Sequence, residues 1–246
     1  TPLKIIESWY NGFWSLLEFG MQIVLIIITG FAIALSPMVN KGIDKLTLHI
    51  KTPRQVYFFS ALVSVILNMI SFGWIVIACV LARELALRVK GVNYPFIIAC
   101  VYFGSGSWVT GLSSSIPLLL GTKNNYLIET GILSETIPTT YTLGSPLNIA
   151  MIVLYLVFAP LLILFLIPKT NNIKELNDML ESDNSEKEIS IKEEALSLNL
   201  PFNSFSDKLN NSIIIQAIII SMGLIYIIYH FYTNGFELNF NIMIFI

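Results

Sequence analysis

Glycines and hydroxyl-bearing residues interrupt an apolar stretch of this chain between Gly104 and Ser115. The stretch 94–121 contains no charged residue, yet its centre reads GSGSWVTGLSSS. Glycine and serine weaken a helix there, and membrane hydrocarbon leaves unpaired backbone N–H and C=O groups unsatisfied. Such a span is stable where protein covers it or where it lines a wet cavity. In secondary transporters, broken spans of this kind hold substrate and coupling ions.

The side chains of this interruption could bind a small anion or a small cation. Hydroxyls can donate to a carboxylate or ligate a cation, and a helix break exposes both N–H donors and free carbonyls. Serines could also cap a helical piece that begins near Ile116 and Pro117, because Ser is a good N-cap and Pro fits the first turn. Trp108 would supply an apolar wall for a short acyl chain. The predicted binding residues of this segment are Ser105, Ser107, Trp108, Thr110, Gly111, Ser113, Ser114 and Ser115.

Close helix packing is the alternative explanation of the same residues. Small residues let membrane helices approach one another, and Gly104, Gly106 and Gly111 could serve that purpose alone. Nine of the twelve residues are small or carry a hydroxyl. So dense a cluster also weakens the helix that it would pack, which favours a binding role.

Few residues outside this segment have a type or spacing that suggests binding or catalysis. Glu18 and Gln22 lie one turn apart on an apolar segment, where a carboxylate could relay protons or simply reach the headgroups. Cys79 and Cys100 have no CxxC partner, which argues against a metal site or a disulfide. The sequence contains no HExxH, GxSxG or P-loop motif. We therefore expect neither an enzyme nor a metalloprotein.

The composition predicts an all-α polytopic membrane protein. The 246 residues are 55% hydrophobic and 12% charged, whereas a soluble domain carries about a quarter charged residues. The charges fall in separate loops without a basic, aromatic-rich patch, so the expected partner is the lipid bilayer and not nucleic acid. Because a helix needs roughly 20 residues to cross the hydrocarbon, we distinguish five apolar segments, at 14–36, 55–82, 94–121, 146–167 and 212–232.

The loop charges predict a re-entrant hairpin in the second segment. Loop 37–54 carries four basic residues against one acid, and loop 83–91 carries three against one. The positive-inside rule places both loops in the cytoplasm, so segment 55–82 must enter and leave on the same side. A single long, tilted helix that violates the rule is the alternative. The hairpin would turn between residues 68 and 73, where Asn68, Ser71 and Gly73 are the polar and small residues that suit a turn. We add these three residues to the predicted binding set.

The remaining segments then alternate across the membrane, with the start of the chain outside. We expect residues 1–167 to form most of a first transmembrane repeat and residues 212–246 to begin a second. The stretch 168–211 holds nine acids against five lysines and predicts a cytoplasmic linker, solvated and partly disordered from Asn171 to Glu194. The chain begins with Thr1 and stops in an apolar run, so we expect a fragment that lacks membrane segments at both ends.

Several pieces of the sequence resemble the short-chain fatty acid transporter family. They are TPRQ (52–55), LARELALRVKGVNY (81–94), GLSSSIPLLLGT (111–122), FWSLLEFGMQIVLIIITGFAIALSP (13–37) and TYTLGSPLNIAMIVL (140–154). The resemblance implies a carrier of the ion-transporter superfamily, with about twice this number of spans. That superfamily has two inverted repeats, each with a re-entrant hairpin followed by a broken helix.

The resemblance also implies coupling to H⁺ or Na⁺, no other cofactor and a location in the bacterial inner membrane. A homodimer is a possible assembly. It places binding roles on hairpin residues Asn68, Ser71 and Gly73 and on broken-helix residues Gly111, Ser113, Ser114, Ser115 and Pro117. The hairpin departs from the Asn-Trp-Gly type of turn expected of such carriers, because this chain reads NMISFGW from Asn68 to Trp74.

The sequence therefore predicts a secondary transporter of short-chain monocarboxylates, such as butyrate and acetoacetate, that alternates access around a midplane site. A carrier of the same architecture for C4-dicarboxylates or amino acids stays open. So does a structural or assembly subunit whose glycines only pack helices. A membrane-embedded enzyme is disfavoured, because no pair of His, Asp, Glu or Cys residues inside the spans has the spacing of metal ligands or of a general base.

Overall fold

The computed structural model describes residues 2–123, 125–169, 173–182, 204–210, 212–235 and 238–245. Regular structure in these ranges is helical throughout. The α-helices are α1 Pro2–Ser15, α2 Leu17–Ala34, α3 Pro37–Thr47, α4 Pro53–Ile70, α5 Ile75–Arg88, α6 Tyr94–Ser105, α7 Ser115–Gly121, α8 Tyr126–Glu129, α9 Thr139–Thr142, α10 Pro146–Val153, α11 Ala159–Leu166, α12 Leu176–Ser182, α13 Phe205–Asn210, α14 Ile213–Asn234 and α15 Phe240–Phe245.

Four helical stretches are long and apolar enough to cross a membrane. They are Pro53–Ile70, Tyr94–Glu129, Pro146–Leu166 and Ile213–Asn234. A fifth results if α2 and α3, which meet at 62°, count as one bent span. Ser36 accounts for this bend, because its extended backbone breaks the helix and its side chain accepts a hydrogen bond from Val39 N. The prediction of an all-α polytopic membrane protein is confirmed.

The second apolar segment folds into a helical hairpin. Helix α4 ends at Ile70, Ser71 has an extended backbone, and a short 3₁₀ turn, Phe72–Trp74, leads into α5. Tyr57 Oη, near the start of α4, accepts a hydrogen bond of 2.8 Å from Asn93 N, which follows α5. The start of α4 and the end of α5 therefore lie next to each other. The predicted hairpin is confirmed, and the alternative of one long helix across 55–82 is wrong.

The third apolar segment is broken at its centre, as predicted. Helix α6 ends at Ser105, a 3₁₀ turn spans Gly106–Thr110, and α7 begins at Ser115 after four non-helical residues. Gly104 packs against α4, since a Cβ there would lie 2.8 Å from Ala61 O and 2.9 Å from Ser64 Cβ. Close packing is therefore a real role of this glycine, in the way proposed for small residues in membrane helices.

The base of the hairpin is joined to α3 through Arg88. Its guanidinium donates hydrogen bonds to Thr47 Oγ1 and Asp44 Oδ1, each at 2.7 Å, and to Glu84 Oε2 at 3.0 Å. Asp44 and Thr47 belong to the first basic loop of the sequence, and Arg88 belongs to the second. The two loops that the positive-inside rule assigned to one side of the membrane thus lie together.

The start of the predicted linker docks on the same end of the molecule. Glu175 Oε1 accepts a hydrogen bond of 2.8 Å from Gly91 N, and Lys174 O accepts one of 2.9 Å from Tyr94 N. Leu176, only 7% exposed, belongs to the main apolar core. One buried leucine and two hydrogen bonds fix the start of this stretch, while residues 173–174 and 177–179 are exposed, so the solvated, partly disordered linker stays a prediction. Residues 171–172 and 183–194 lie outside the described ranges.

The last two spans are far more exposed than the hairpin. Only 17% of the apolar window of Pro146–Leu166 and 6% of that of Ile213–Asn234 are buried inside the molecule. A π-helical turn, Leu154–Phe158, comes just before Pro160, and the helix continues through that proline.

The division into a first repeat, a linker and a second repeat stays a prediction.

Candidate substrate site at the hairpin tip and the helix break

The hairpin tip and the break in the third segment contact each other directly. Phe72 N, in the tip, donates a hydrogen bond of 2.7 Å to Ser113 Oγ, in the break. Leu112 N donates one of 2.7 Å to Met69 O. The rings of Phe72 and Trp108 lie 5.3 Å apart between centroids. The structure thus brings together the two interruptions that the sequence predicted to form one site.

Three glycines allow the tip to come so close to its neighbours. A Cβ at Gly111 would overlap the backbone of Met69, and a Cβ at Gly73 would overlap Ile26 O of α2. Gly30 of α2 faces Gly73 at equally close range. The tip is therefore enclosed between α2 on one side and the helix break on the other, with backbone against backbone.

Four of the predicted hydroxyls donate to backbone carbonyls, three of them within or next to the interruption. A break leaves such carbonyls without helical partners, and a buried carbonyl without a donor is costly. The hydroxyl of Ser107 donates to Val65 O of α4 at 2.9 Å. The other three bonds are local, from Ser105 Oγ to Tyr102 O, from Thr110 Oγ1 to Ser107 O and from Ser114 Oγ to Val109 O. Each oxygen retains an acceptor lone pair for a cation or a donor.

The expected serine cap of the helix after the break is absent. Helix α7 begins at Ser115, and Ser114 occupies the N-cap position without a side-chain capping bond. Its hydroxyl turns back to Val109 O at 2.8 Å instead, because the 3₁₀ turn leaves that carbonyl in need of a donor. The prediction that a serine side chain caps this helix is wrong.

Asn68 has the most unusual environment among the predicted residues. Its side chain is fully buried, and its Nδ2 donates to Ser64 O at 2.8 Å. Its Oδ1 has no hydrogen-bond partner among the described residues. A buried acceptor left without a donor costs about 1–3 kcal/mol, so such an atom calls for a functional explanation. The sequence singled out Asn68 as a turn residue and gave no sign of this free oxygen.

Sequence reasoning missed a residue that holds the break in position. Asn148, at the start of α10, donates from Nδ2 to Thr110 O at 3.0 Å and to Leu143 O at 2.9 Å. The run Ser145-Pro146-Leu147-Asn148 could have indicated a helix start at this point, since Ser145 caps α10 by accepting a hydrogen bond from Asn148 N. An asparagine inside the first turn of an apolar helix is costly in a membrane unless it has partners.

Some predicted residues take no part in this contact. Ser71 is half-buried at the tip, and Ser115 is half-buried at the start of α7. Gln22 Nε2 donates to Asn241 Oδ1 of α15 at 2.8 Å. The structure describes the helix at Glu18 but not its side chain, so the proton relay stays a prediction. No group of three or more His, Cys, Asp or Glu residues that could hold a metal occurs within the described ranges.

Comparison with known proteins places these features in a family. A family model described as "Short chain fatty acid transporter" matches residues 1–246. A Haemophilus influenzae protein is 31% identical over 98% of this chain and 53% of its own length. An Escherichia coli protein is 34% identical over 98% of this chain and 52% of its own length. Both are named "Putative short-chain fatty acid transporter".

The chain spans about half the length of these curated relatives. No solved structure matches it. The family is one of transporters and not of enzymes, which agrees with the absence of catalytic motifs from the sequence. A hairpin, a broken helix that meets its tip, and a family match over the whole length lead to one assignment. This chain belongs to the short-chain fatty acid transporter family.

Proposed function

We propose that this chain is part of a secondary transporter that moves short-chain monocarboxylates of the butyrate and acetoacetate type across the bacterial inner membrane, driven by H⁺ or Na⁺. The contact between the hairpin tip and the helix break, centred on Phe72 N and Ser113 Oγ, is the observation that carries the proposal. Membership of the family and the names of the two relatives support the substrate class.

The proposed binding site has no formal charge of its own. Neither 55–82 nor 94–121 contains a charged residue. The four hydroxyls that donate to carbonyls have no further proton, so a carboxylate in this site is held by N–H dipoles and by the hydroxyl of Ser113, whose oxygen accepts from Phe72 N. Such neutral donors bind an anion less tightly than a buried arginine does. Weak binding suits a carrier that has to release its substrate. The residues proposed to form the site are Asn68, Ser71, Gly73, Ser105, Ser107, Trp108, Thr110, Gly111, Ser113, Ser114 and Ser115.

The apolar part of the substrate has a matching surface. The half-buried Trp108 ring packs against Phe72 at the edge of the contact between tip and break. An acyl chain of a few carbons would lie against this aromatic pair while the carboxylate reaches the polar backbone beside it. A C4-dicarboxylate would need a second anion site, and an amino acid would need an acidic partner for its ammonium group.

The coupling ion is proposed to bind at the same place. The unpartnered Asn68 Oδ1 and the acceptor lone pairs of neighbouring hydroxyls are oxygen ligands of the type that Na⁺ takes at broken helices. Coupling to H⁺ would require a titratable group, and the two segments contain no carboxyl or imidazole. This difference favours Na⁺ at this site.

Uptake of radiolabelled butyrate into proteoliposomes that contain the full-length protein tests the proposal. A Na⁺ gradient and a pH gradient are imposed in turn, and empty liposomes correct for leakage of protonated butyrate. We expect saturable uptake that follows the Na⁺ gradient and is inhibited by acetoacetate. Uptake of succinate or arginine instead would refute the substrate. Saturable uptake of none of these acids would favour a structural or assembly role.

A further inference from the structure

A cleft of about 500 Å³ lies at the base of the hairpin, between the start of α4 and the end of the fourth span. The first turn of α4, the loop after α5 and the residues that follow α11 form its walls. Arg54 and Lys169 line it from two different elements. The cleft therefore combines two positive charges that the proposed transport mechanism does not use.

The two cations of this cleft differ from the arginine at the hairpin base. Arg88 is paired with Asp44 and Glu84. Arg54 and Lys169 have exposed side chains, and neither has an ion-pair partner among the described residues. None of the residues that line this cleft is acidic. Two cations without an ion-pair partner, on a concave surface whose lining holds no acid, indicate an anionic ligand.

A second, apolar cleft lies along α11 and shares one lining residue, Phe165, with the first. The second cleft, of about 560 Å³, is lined by Phe158, Leu161, Leu162 and Phe165 among others. Phe165 is 85% exposed and borders both clefts. A ligand that filled both would carry its negative charge at one end and an apolar chain at the other. In a membrane, that shape is the shape of a phospholipid.

The position along the membrane agrees with this ligand. The cleft adjoins the basic loops 37–54 and 83–91, which the positive-inside rule places in the cytoplasm. Anionic lipids attract Lys and Arg residues near that surface, and basic pockets between membrane helices on that side bind lipid headgroups. We infer that the cleft at Arg54 and Lys169 binds the phosphate headgroup of an anionic phospholipid, with an acyl chain along α11 against Phe165.

Native mass spectrometry of the full-length protein in detergent tests this inference with added phosphatidylglycerol or phosphatidylcholine. We expect the apparent Kd for phosphatidylglycerol to be lower by about tenfold or more, since each cation near a lipid surface contributes about 1 kcal/mol. The double variant Arg54→Gln with Lys169→Gln should lose this preference. The control Lys41→Gln with Lys45→Gln removes the same charge from α3 and should keep it.

Two further measurements keep the inference falsifiable if the double variant is poorly folded. Arg54→Lys with Lys169→Arg preserves both charges and should retain the preference for phosphatidylglycerol. Excess inorganic phosphate should fail to displace phosphatidylglycerol from the unaltered protein, because phosphate lacks the acyl chain. Displacement by phosphate would assign the cleft to a soluble anion and overturn the lipid. Equal binding of both lipids by the unaltered protein would overturn it as well, as expected if other parts of the protein cover the second cleft.

Discussion

The hairpin of α4 and α5 is held at both of its ends, but by different interactions. At the tip, neutral groups meet at close range, with Phe72 N on Ser113 Oγ and backbone against backbone at Gly111. At the base, the guanidinium of Arg88 joins carboxylates of α3 and α5, and its side chain is 42% exposed. Low-dielectric surroundings suit the first arrangement, and contact with water suits the second.

This difference predicts where the protein tolerates substitution. A buried N–H that loses its only acceptor costs the full desolvation of that group, whereas an exposed ion pair contributes about 0–1 kcal/mol. A backbone contact also has no flexible side chain that could move aside. The tip should therefore be sensitive to the smallest change in volume or bonding, and the base should tolerate the loss of a whole charge.

The largest effect is expected from Gly111→Ala. The added Cβ would overlap the backbone of Met69, so the break and the tip would have to separate. The backbone of Gly111 has φ −93°, which alanine adopts freely, so the effect would come from volume alone. We expect a loss of more than about 3 kcal/mol in the free energy of unfolding, with no transport. Thermal unfolding of the full-length protein in detergent and butyrate uptake measure the two effects.

Gly42→Ala is the matched control for this substitution. Gly42 lies in α3, and a Cβ there would meet nothing within 4 Å. Alanine should leave stability unchanged or raise it by up to about 1 kcal/mol, as in other helix interiors. Equal stability of the two variants would show that the tip and the break are not in close contact in the working protein.

A smaller effect is expected from Ser113→Ala. The variant leaves Phe72 N without its acceptor beside a side chain that is only 5% exposed, which should cost about 1–3 kcal/mol. Uptake should fall with it, whereas Ser113→Thr keeps the oxygen and should restore part of both. Ser221→Ala removes an exposed hydroxyl that donates to Ala217 O on α14, and it should change stability by less than about 0.5 kcal/mol. A loss as large at Ser221 would mean that the hydroxyl at the tip has no special role.

The interruptions and the hairpin could be predicted because their signals are local. Polar residues within an apolar stretch and basic residues in short loops are visible without knowledge of the fold. The partners could not be predicted, since Ser113 bonds a residue 41 positions away and Ser107 one 42 positions away. Four hydroxyls that the sequence suggested as ligands donate to backbone carbonyls instead, three of them at the helix break and one, from Ser107, inside α4.

The linker shows the opposite limitation of sequence reasoning. Its acidic composition describes the average of 168–211, and that average conceals one leucine that reaches the core. Leu176 and Glu175 fix the start of 173–182 to the loop after α5, although neither residue is unusual on its own. Asn148 was missed for a similar reason, because its two carbonyl partners come together only in the folded chain.

The smallest effect is expected from Arg88→Gln at the base. The variant removes the contacts with Asp44 and Glu84, and we expect a loss of at most about 1 kcal/mol, because the Arg88 and Asp44 side chains are 42% and 53% exposed to water. The salt dependence of the stability loss should distinguish the base of the hairpin from the tip. At about 1 M salt, where the screening length is about 3 Å, the difference between Arg88→Gln and the unaltered protein should shrink, while the difference caused by Ser113→Ala should persist.

Thermal unfolding at low and high salt measures both differences, with Lys123→Gln as a control for the loss of an exposed positive charge. Lys123 lies in the short loop after α7 and should show little effect at either salt concentration. If the Arg88 difference kept its size in high salt, the base would be held by hydrogen-bond geometry, as at Thr47 Oγ1, and not by charge. The two ends of the hairpin would then be stabilised in the same way, and the greater sensitivity of the tip would come only from its backbone contacts.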